Sequence, residues 1–267
     1  MVDSAQVARM TTTVSIVIPS YNCEDTIVGA IESARRSANF CERVKGFPVS
    51  YKIVVVDDGS TDSTVHLVER HYDACEGVVL VKNGQNRGAG YSRNQGVHHT
   101  DGEYIFFLDS DDAFLDTHIH ACLSRLVQSK HCGYARTQVL LADDIHPGWQ
   151  NEISASIPIT LCVRRRSHDF VGGFLEDSSL DKMRMEDVAY QRLLAAFFQY
   201  VIVPEKTVYY SRRPGNALDR QLKRFRQAPD LSRDVLNDVE RAALPQIQNL
   251  VQTRVKAICN RGQHRVQ

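Results

Sequence analysis

Tyr104-Ile105-Phe106-Phe107-Leu108-Asp109-Ser110-Asp111-Asp112 is the stretch from which the rest of this chain is read. An unbroken apolar run describes a strand buried on both faces, and it ends abruptly on a cluster of carboxylates. Like charges this close cost folding energy unless a cation or a hydrogen-bond network compensates them. Carboxylate oxygens are hard ligands suited to Mg²⁺ or Mn²⁺, and Mg²⁺ is commonly held by one or two carboxylates together with substrate phosphates. The cluster thus points to a divalent cation and a nucleotide-linked substrate. The alternative is a helix N-cap, with Asp111 or Asp112 capping a helix that begins near Leu115.

Upstream, the same pattern recurs. Val14 to Ile18, Ile53 to Val56 and Val78 to Val81 are short β-branched runs. Helical spacing follows each, over Asp25 to Ala38, to about His71 and to about His98. Apolar strands alternating with helices predict an α/β fold with a Rossmann-like, mostly parallel central sheet. Ligands of such sheets bind outside the carboxyl ends of the strands. Pro19-Ser20-Tyr21-Asn22, Asp57-Asp58-Gly59-Ser60 and the acidic cluster should therefore converge on one crevice.

Composition narrows the class. Lys plus Arg and Asp plus Glu both number 32, so no net charge points to nucleic acid. Seven cysteines without Cys-x-x-Cys spacing read as reduced thiols of a cytoplasmic protein. Met1 to Thr13 is polar and does not read as a signal peptide, and no run of eighteen apolar residues suggests a membrane span. Beyond Gly133, Ala135 to Leu141 and Ile157 to Val163 read as strands separated by a long polar stretch. Met185-Glu186-Asp187 opens a helix to about Phe198, Val201 to Pro204 and Thr207 to Tyr210 read as two short strands joined by a turn, and Asn216 onward is helical in pattern.

Together these motifs resemble the inverting family 2 glycosyltransferases with the GT-A fold. The resemblance runs through Val14 to Asn22, Val55 to Asp62, Asn86-Arg87-Gly88, Ser92-Arg93-Asn94-Gln95-Gly96 and Gly102 to Ile105 into the acidic cluster, then resumes at Val171-Gly172-Gly173-Phe174 and Glu186-Asp187. It implies a tail over 1–13, a GT-A domain over 14–215 and a helical extension over 216–267. Within the domain, 14–130 would bind the nucleotide and 131–215 the acceptor. It further implies that Pro19, Tyr21 and Asn22 line the nucleotide, that Asp58 meets the base, commonly uracil, and that Arg87 and Arg93 border the phosphates. Asp111 would coordinate Mn²⁺ or Mg²⁺ with Asp109, which together with Ser110 also faces the donor. Asp187 would be the general base and Glu186 an acceptor contact, while Arg213 resembles part of a loop that closes over the donor. The implied partners are a nucleotide-sugar donor, UDP-linked, and a saccharide, lipid-linked or other hydroxyl acceptor.

Bland readings stand beside these. Asp57 and Asp58 also suit a tight turn that caps the next helix, Arg87 and Arg213 suit solvated loops, and an acid at 187 suits a first helical turn. The connection Arg35 to Tyr51 is longer than usual for the family and reads as a surface excursion. The basic helical tail suits packing on the domain, a homodimer contact, or peripheral docking at the inner membrane surface. Rival functions are a sugar-nucleotidyltransferase, disfavoured by the absence of a basic Gly-rich loop after the first strand, and a non-catalytic nucleotide- or sugar-binding module.

Overall fold

A computed structural model describes residues 11–44, 47–72, 77–141, 147–177, 179–180, 185–213, 218–219, 222–223 and 238–263. In chain order the first half comprises β1 (Thr12–Ser20), α1 (Ile27–Arg43), β2 (Val49–Asp57), α2 (Thr64–Tyr72), β3 (Val78–Lys82), α3 (Ala89–His98) and β4 (Tyr104–Phe107). The second half comprises β5 (Ala113–Phe114), α4 (His118–Gln128), β6 (Cys132–Leu141), α5 (Pro147–Ser156), β7 (Leu161–Arg164), α6 (Arg165–Val171), α7 (Glu186–Phe197), β8 (Gln199–Tyr210) and α8 (Asp238–Gln263). One eight-stranded mixed sheet runs β3-β2-β1-β4-β7-β6-β8-β5. β3, β2, β1 and β4 run parallel to one another, β7 is antiparallel to both β4 and β6, β8 is parallel to β6, and β5 is antiparallel to β8.

Period-two alternation divides each buried strand between two cores. Ile16, Ile18 and Phe106 face one core with Ile27, Ile31 and Leu123 of α1 and α4. Val17, Ile105 and Phe107 face the other with Leu193 of α7 and Ile247 of α8. β1 therefore has helices on both faces, which accounts for its lack of polar alternation. Between β1 and β4 the strand order reverses, and this is where a doubly wound sheet opens a crevice at its carboxyl end.

Several local expectations are corrected. The stretch read as two strands around a turn is the single strand β8. Pro204 interrupts its ladder instead of ending it, because pairing with β6 shifts register between Arg136↔Ile202 and Gln138↔Lys206. The polar stretch before β7 contains helix α5. The strand expected from Ile157 begins only at Leu161, because Pro158–Thr160 forms a 3₁₀ turn. The long connection after the first helix is not a surface excursion: α1 continues to Arg43, burying Ser37, Ala38 and Cys41. Residues 45–46 of that connection lie outside the described set, as does most of 214–237, where the helical pattern expected from Asn216 begins.

The C-terminal helix packs on the domain. Ala243, Ile247 and Val251 are buried in the second core, and Arg254 Nη1 donates to the carbonyls of Val171 and Gly172, each at 3.3 Å. Its apolar side is thus used internally. No helix among the described residues is long and apolar enough to cross a membrane.

α3 approaches β1 so closely at Gly96 that an added Cβ would collide with the Val17 side chain. Gly96→Ala is expected to force the helix outward and cost about 1–3 kcal/mol. Urea unfolding of the variant against the parent measures it.

Candidate active site

Hydrogen bonds within the protein join the first two strand exits. At the end of β1, Asn22 adopts φ 48° and its Oδ1 accepts from Thr61 N–H at 2.8 Å, tying the β1 exit to the β2 exit. Pro19 pairs with Val56 in the β1/β2 register, and Tyr21 beside it is 49 % exposed. Asp57 Oδ2 accepts from the N–H groups of Gly59 and Ser60, so this residue makes the turn. Asp62 caps α2 through Thr64 N–H.

Asp58 does something different. It is buried, and its Oδ1 accepts from Asn83 Nδ2 at 2.8 Å and Arg87 N–H at 2.9 Å, while Oδ2 accepts from Gly88 N–H at 2.8 Å. Three of roughly four acceptor positions on a carboxylate are therefore filled by the β3–α3 loop. The Arg87 side chain is exposed, with its guanidinium 4.0 Å above the Tyr91 ring.

Arg93 occupies the centre. Only 4 % exposed, it donates from Nη2 to Asp109 Oδ1 at 2.8 Å and from Nη1 to Glu186 Oε1 at 2.9 Å, with its guanidinium carbon 5.3 Å from the Phe174 ring centre. Burial works against its charge, but the two carboxylates outweigh that and hold its pKa above the ordinary arginine value. Glu186 and Asp187 form the first turn of α7. Asp187 is half-buried, its Oδ1 accepts from Val188 N–H at 2.6 Å, and its carboxyl is pushed well above the usual range by burial and then by Glu186.

The acidic cluster resolves into unlike members. Asp112 is no helix cap, since α4 starts later, at His118 behind Thr117. Its Oδ1 accepts from Ser211 N–H at 2.7 Å, its Oδ2 is buried without a partner, and its pKa is raised by burial, then by Asp111 and Asp109. Asp111 is raised by burial and by Asp109, and its Oδ2 lies 3.5 Å from Arg213 Nε. Ser110, between Asp109 and Asp111, is partly exposed. Among the described residues no set of three or more His, Cys, Asp or Glu side chains encloses a metal position.

The description Glycosyl transferase family 2 matches residues 15–164, more than half of the chain. The chain belongs to glycosyl transferase family 2. A UDP-Glc:alpha-D-GlcNAc-diphosphoundecaprenol beta-1,3-glucosyltransferase of Escherichia coli is 37 % identical over 106 residues, covering 40 % of this chain and 38 % of that protein. A poly(ribitol-phosphate) beta-glucosyltransferase of Bacillus spizizenii is 38 % identical over 100 residues, 37 % of this chain and 15 % of that protein. The chain thus spans well under half the length of these relatives. Among solved structures, S. aureus TarS 1–349 in complex with UDP superposes with TM-score 0.60 at 20 % identity, covering 76 % of this chain and 61 % of that one. Mannosyltransferase PcManGT from Pyrobaculum calidifontis, in complex with GDP-Man and Mn²⁺, superposes at 0.57 with 16 % identity, covering 92 % and 75 %. These likenesses establish the fold, the GT-A arrangement of a mixed sheet flanked by helices.

This family 2 domain also relies on residues to which the motifs gave no role. Asn83 holds Asp58 and also donates to Ser92 Oγ at 2.9 Å. Asn94 clamps the Gly172-Gly173-Phe174 segment, accepting from Phe174 N–H and donating to its carbonyl. Phe174 stacks at 4.0 Å on Tyr190, whose hydroxyl meets His168 Nδ1 at 2.8 Å. Tyr210, at the end of β8, has its hydroxyl pKa raised by burial and then by the charges of Asp112, Asp109, Asp187 and Asp111. Its signal in sequence is only its place after an apolar run.

Arg93→Met would strand two carboxylates in a buried setting. A loss of about 3–5 kcal/mol is expected, read as a lowered denaturation midpoint.

Proposed function

We propose that this chain is an inverting glycosyltransferase that moves a sugar from a UDP-linked donor to a hydroxyl acceptor. The observation that carries this reading is the Arg93 bridge, which joins Asp109 at the end of β4 to Glu186 beside Asp187. Carboxylates of two kinds thereby border one crevice, one set suited to a cation and diphosphate, the other to an attacking hydroxyl.

Inversion requires the acceptor oxygen to approach the anomeric carbon opposite the leaving group, through a transition state of oxocarbenium character. Asp187 takes the acceptor proton. Its raised pKa makes it a stronger base once ionised than an ordinary carboxylate. Glu186 holds the acceptor side of the crevice through Arg93. Pro19, Tyr21 and Asn22 border the base, with the exposed Tyr21 ring available for stacking. Asp58 retains about one acceptor position on Oδ2, which suits the N3 hydrogen of uracil. Arg87, Ser110 and Arg213 face the ribose and phosphates. Residues 14–130 form the donor half and 131–215 the acceptor half.

Asp111, with Asp109, would hold Mn²⁺ or Mg²⁺; burial raises Asp111 and the Asp109 charge raises it further, and such an ion relieves that repulsion. When bound, the ion offsets negative charge on the departing nucleoside diphosphate. The relatives named for diphosphoundecaprenol-linked and poly(ribitol-phosphate) acceptors favour a role in polysaccharide assembly, on a lipid-linked or polymeric acceptor. Such an acceptor favours work at the cytoplasmic membrane surface.

UDP with Mn²⁺, at about a hundredfold over its Kd, should raise Tm by about 5–10 °C. Failure of both UDP and GDP to shift Tm in the presence of metal would sink the reading. Asp187→Asn should keep the UDP-dependent shift and lose transfer by several orders of magnitude. A base works only when deprotonated, so a raised pKa moves the acid limb of kcat/KM upward: activity should climb with pH above the ordinary carboxylate range. A limb at the usual value of about 4 in the pH–rate profile would remove Asp187 from that role.

A further inference from the structure

We propose that Arg213 serves as the stand-in cation of Asp111 in the donor-free protein, so that a divalent ion binds tightly only together with the diphosphate that draws Arg213 away. The inference rests on the reading of Asp111 as a metal ligand.

The three carboxylates of the cluster have different commitments. Asp109 Oδ1 is engaged by buried Arg93 at 2.8 Å. Asp112 is buried and held to the backbone of Ser211. Asp111 is partly exposed, and its ion pair is with Arg213, Nε to Oδ2 at 3.5 Å. That same Ser211 N–H bond, two residues before Arg213, fixes the backbone next to the cluster. Arg213 is therefore delivered to Asp111 by the β8 exit.

The pair is poorly completed. A guanidinium normally engages a carboxylate through two parallel N–H bonds near 2.8 Å. Here one long contact is made, and Arg213 Nη2 is buried with no hydrogen-bond partner. An unpaired buried donor is costly, so an acceptor that reaches Nη2 is favoured. Diphosphate oxygens match the planar fork. A metal ion arriving alone meets a positive group already on its ligand. Arriving with diphosphate, it meets a carboxylate that Arg213 has a reason to leave.

The coupling is read by Mn²⁺ titration, following the EPR signal of free Mn²⁺ with and without UDP. Parent protein should bind Mn²⁺ weakly alone and about tenfold more tightly with UDP. Arg213→Gln should bind Mn²⁺ alone about tenfold more tightly than the parent and gain much less from UDP. Arg213→Lys, which keeps the charge, should stay within about twofold of the parent for Mn²⁺ alone. Unchanged or weaker Mn²⁺ binding by Arg213→Gln without UDP overturns the proposal, as does equal tightening in Arg213→Lys. Should the parent bind no Mn²⁺ even with UDP, or should Asp111→Asn leave its Mn²⁺ affinity unchanged, the metal assignment itself falls.

Discussion

The buried guanidinium of Arg93 is the contact on which the site depends. A charge this enclosed costs several kcal/mol to desolvate, and it is tolerated because two carboxylates from distant parts of the chain converge on it. Asp109 comes from the end of a central strand and Glu186 from the first turn of a helix that begins 77 positions later by residue number. Neither partner is near Arg93 in sequence. The three meet only when α3, β4 and α7 are packed around the second core, so the geometry of the crevice and the stability of the fold are coupled. Phe174 beneath the guanidinium extends this coupling through Tyr190 to His168, whose burial lowers its pKa to about 4 and keeps it neutral.

A second knot, smaller and nearer the surface, holds the nucleotide side. Asp58 gathers the loop after β3 by two backbone N–H groups and one side-chain amide. Asn22 and Thr61 sew the first two strand exits together. These bonds shape the wall of the crevice in the absence of ligand, so less ordering is left for binding to impose. The same bonds narrow what each residue can still offer. Asp58 is mainly a scaffold with a little acceptor capacity left, and Asn22 is committed through its carbonyl oxygen.

Much of the first half was legible because its signals are local. An apolar run flanked by helical spacing needs no distant partner to be read as a buried parallel strand, and β1 to β4 follow that pattern. The second half was harder. β8 reads as two strands because Pro204 cannot donate to a ladder, yet a register shift against β6 carries the strand past it. α5 lies in a stretch with little amphipathic pattern, and its inner side is recognisable only once Ile153 is seen packed with Val139, Leu218 and Leu222. α1 runs past its expected end at Ala38, and the added turn buries Cys41 in the same core as Ile119 and Cys122 of α4.

The sequence by itself determined the family, the alternation of strands and helices, and the residue types at each strand exit. These follow from side-chain polarity and short-range spacing, which are properties of neighbouring residues. Only the tertiary structure decided what the charges do: that Arg93 bridges Asp109 and Glu186, and that Asp112 is held by Ser211 N–H while Asp111 meets Arg213. Coulomb energy depends on separation in space and on burial, and neither is written in the spacing of motifs along the chain.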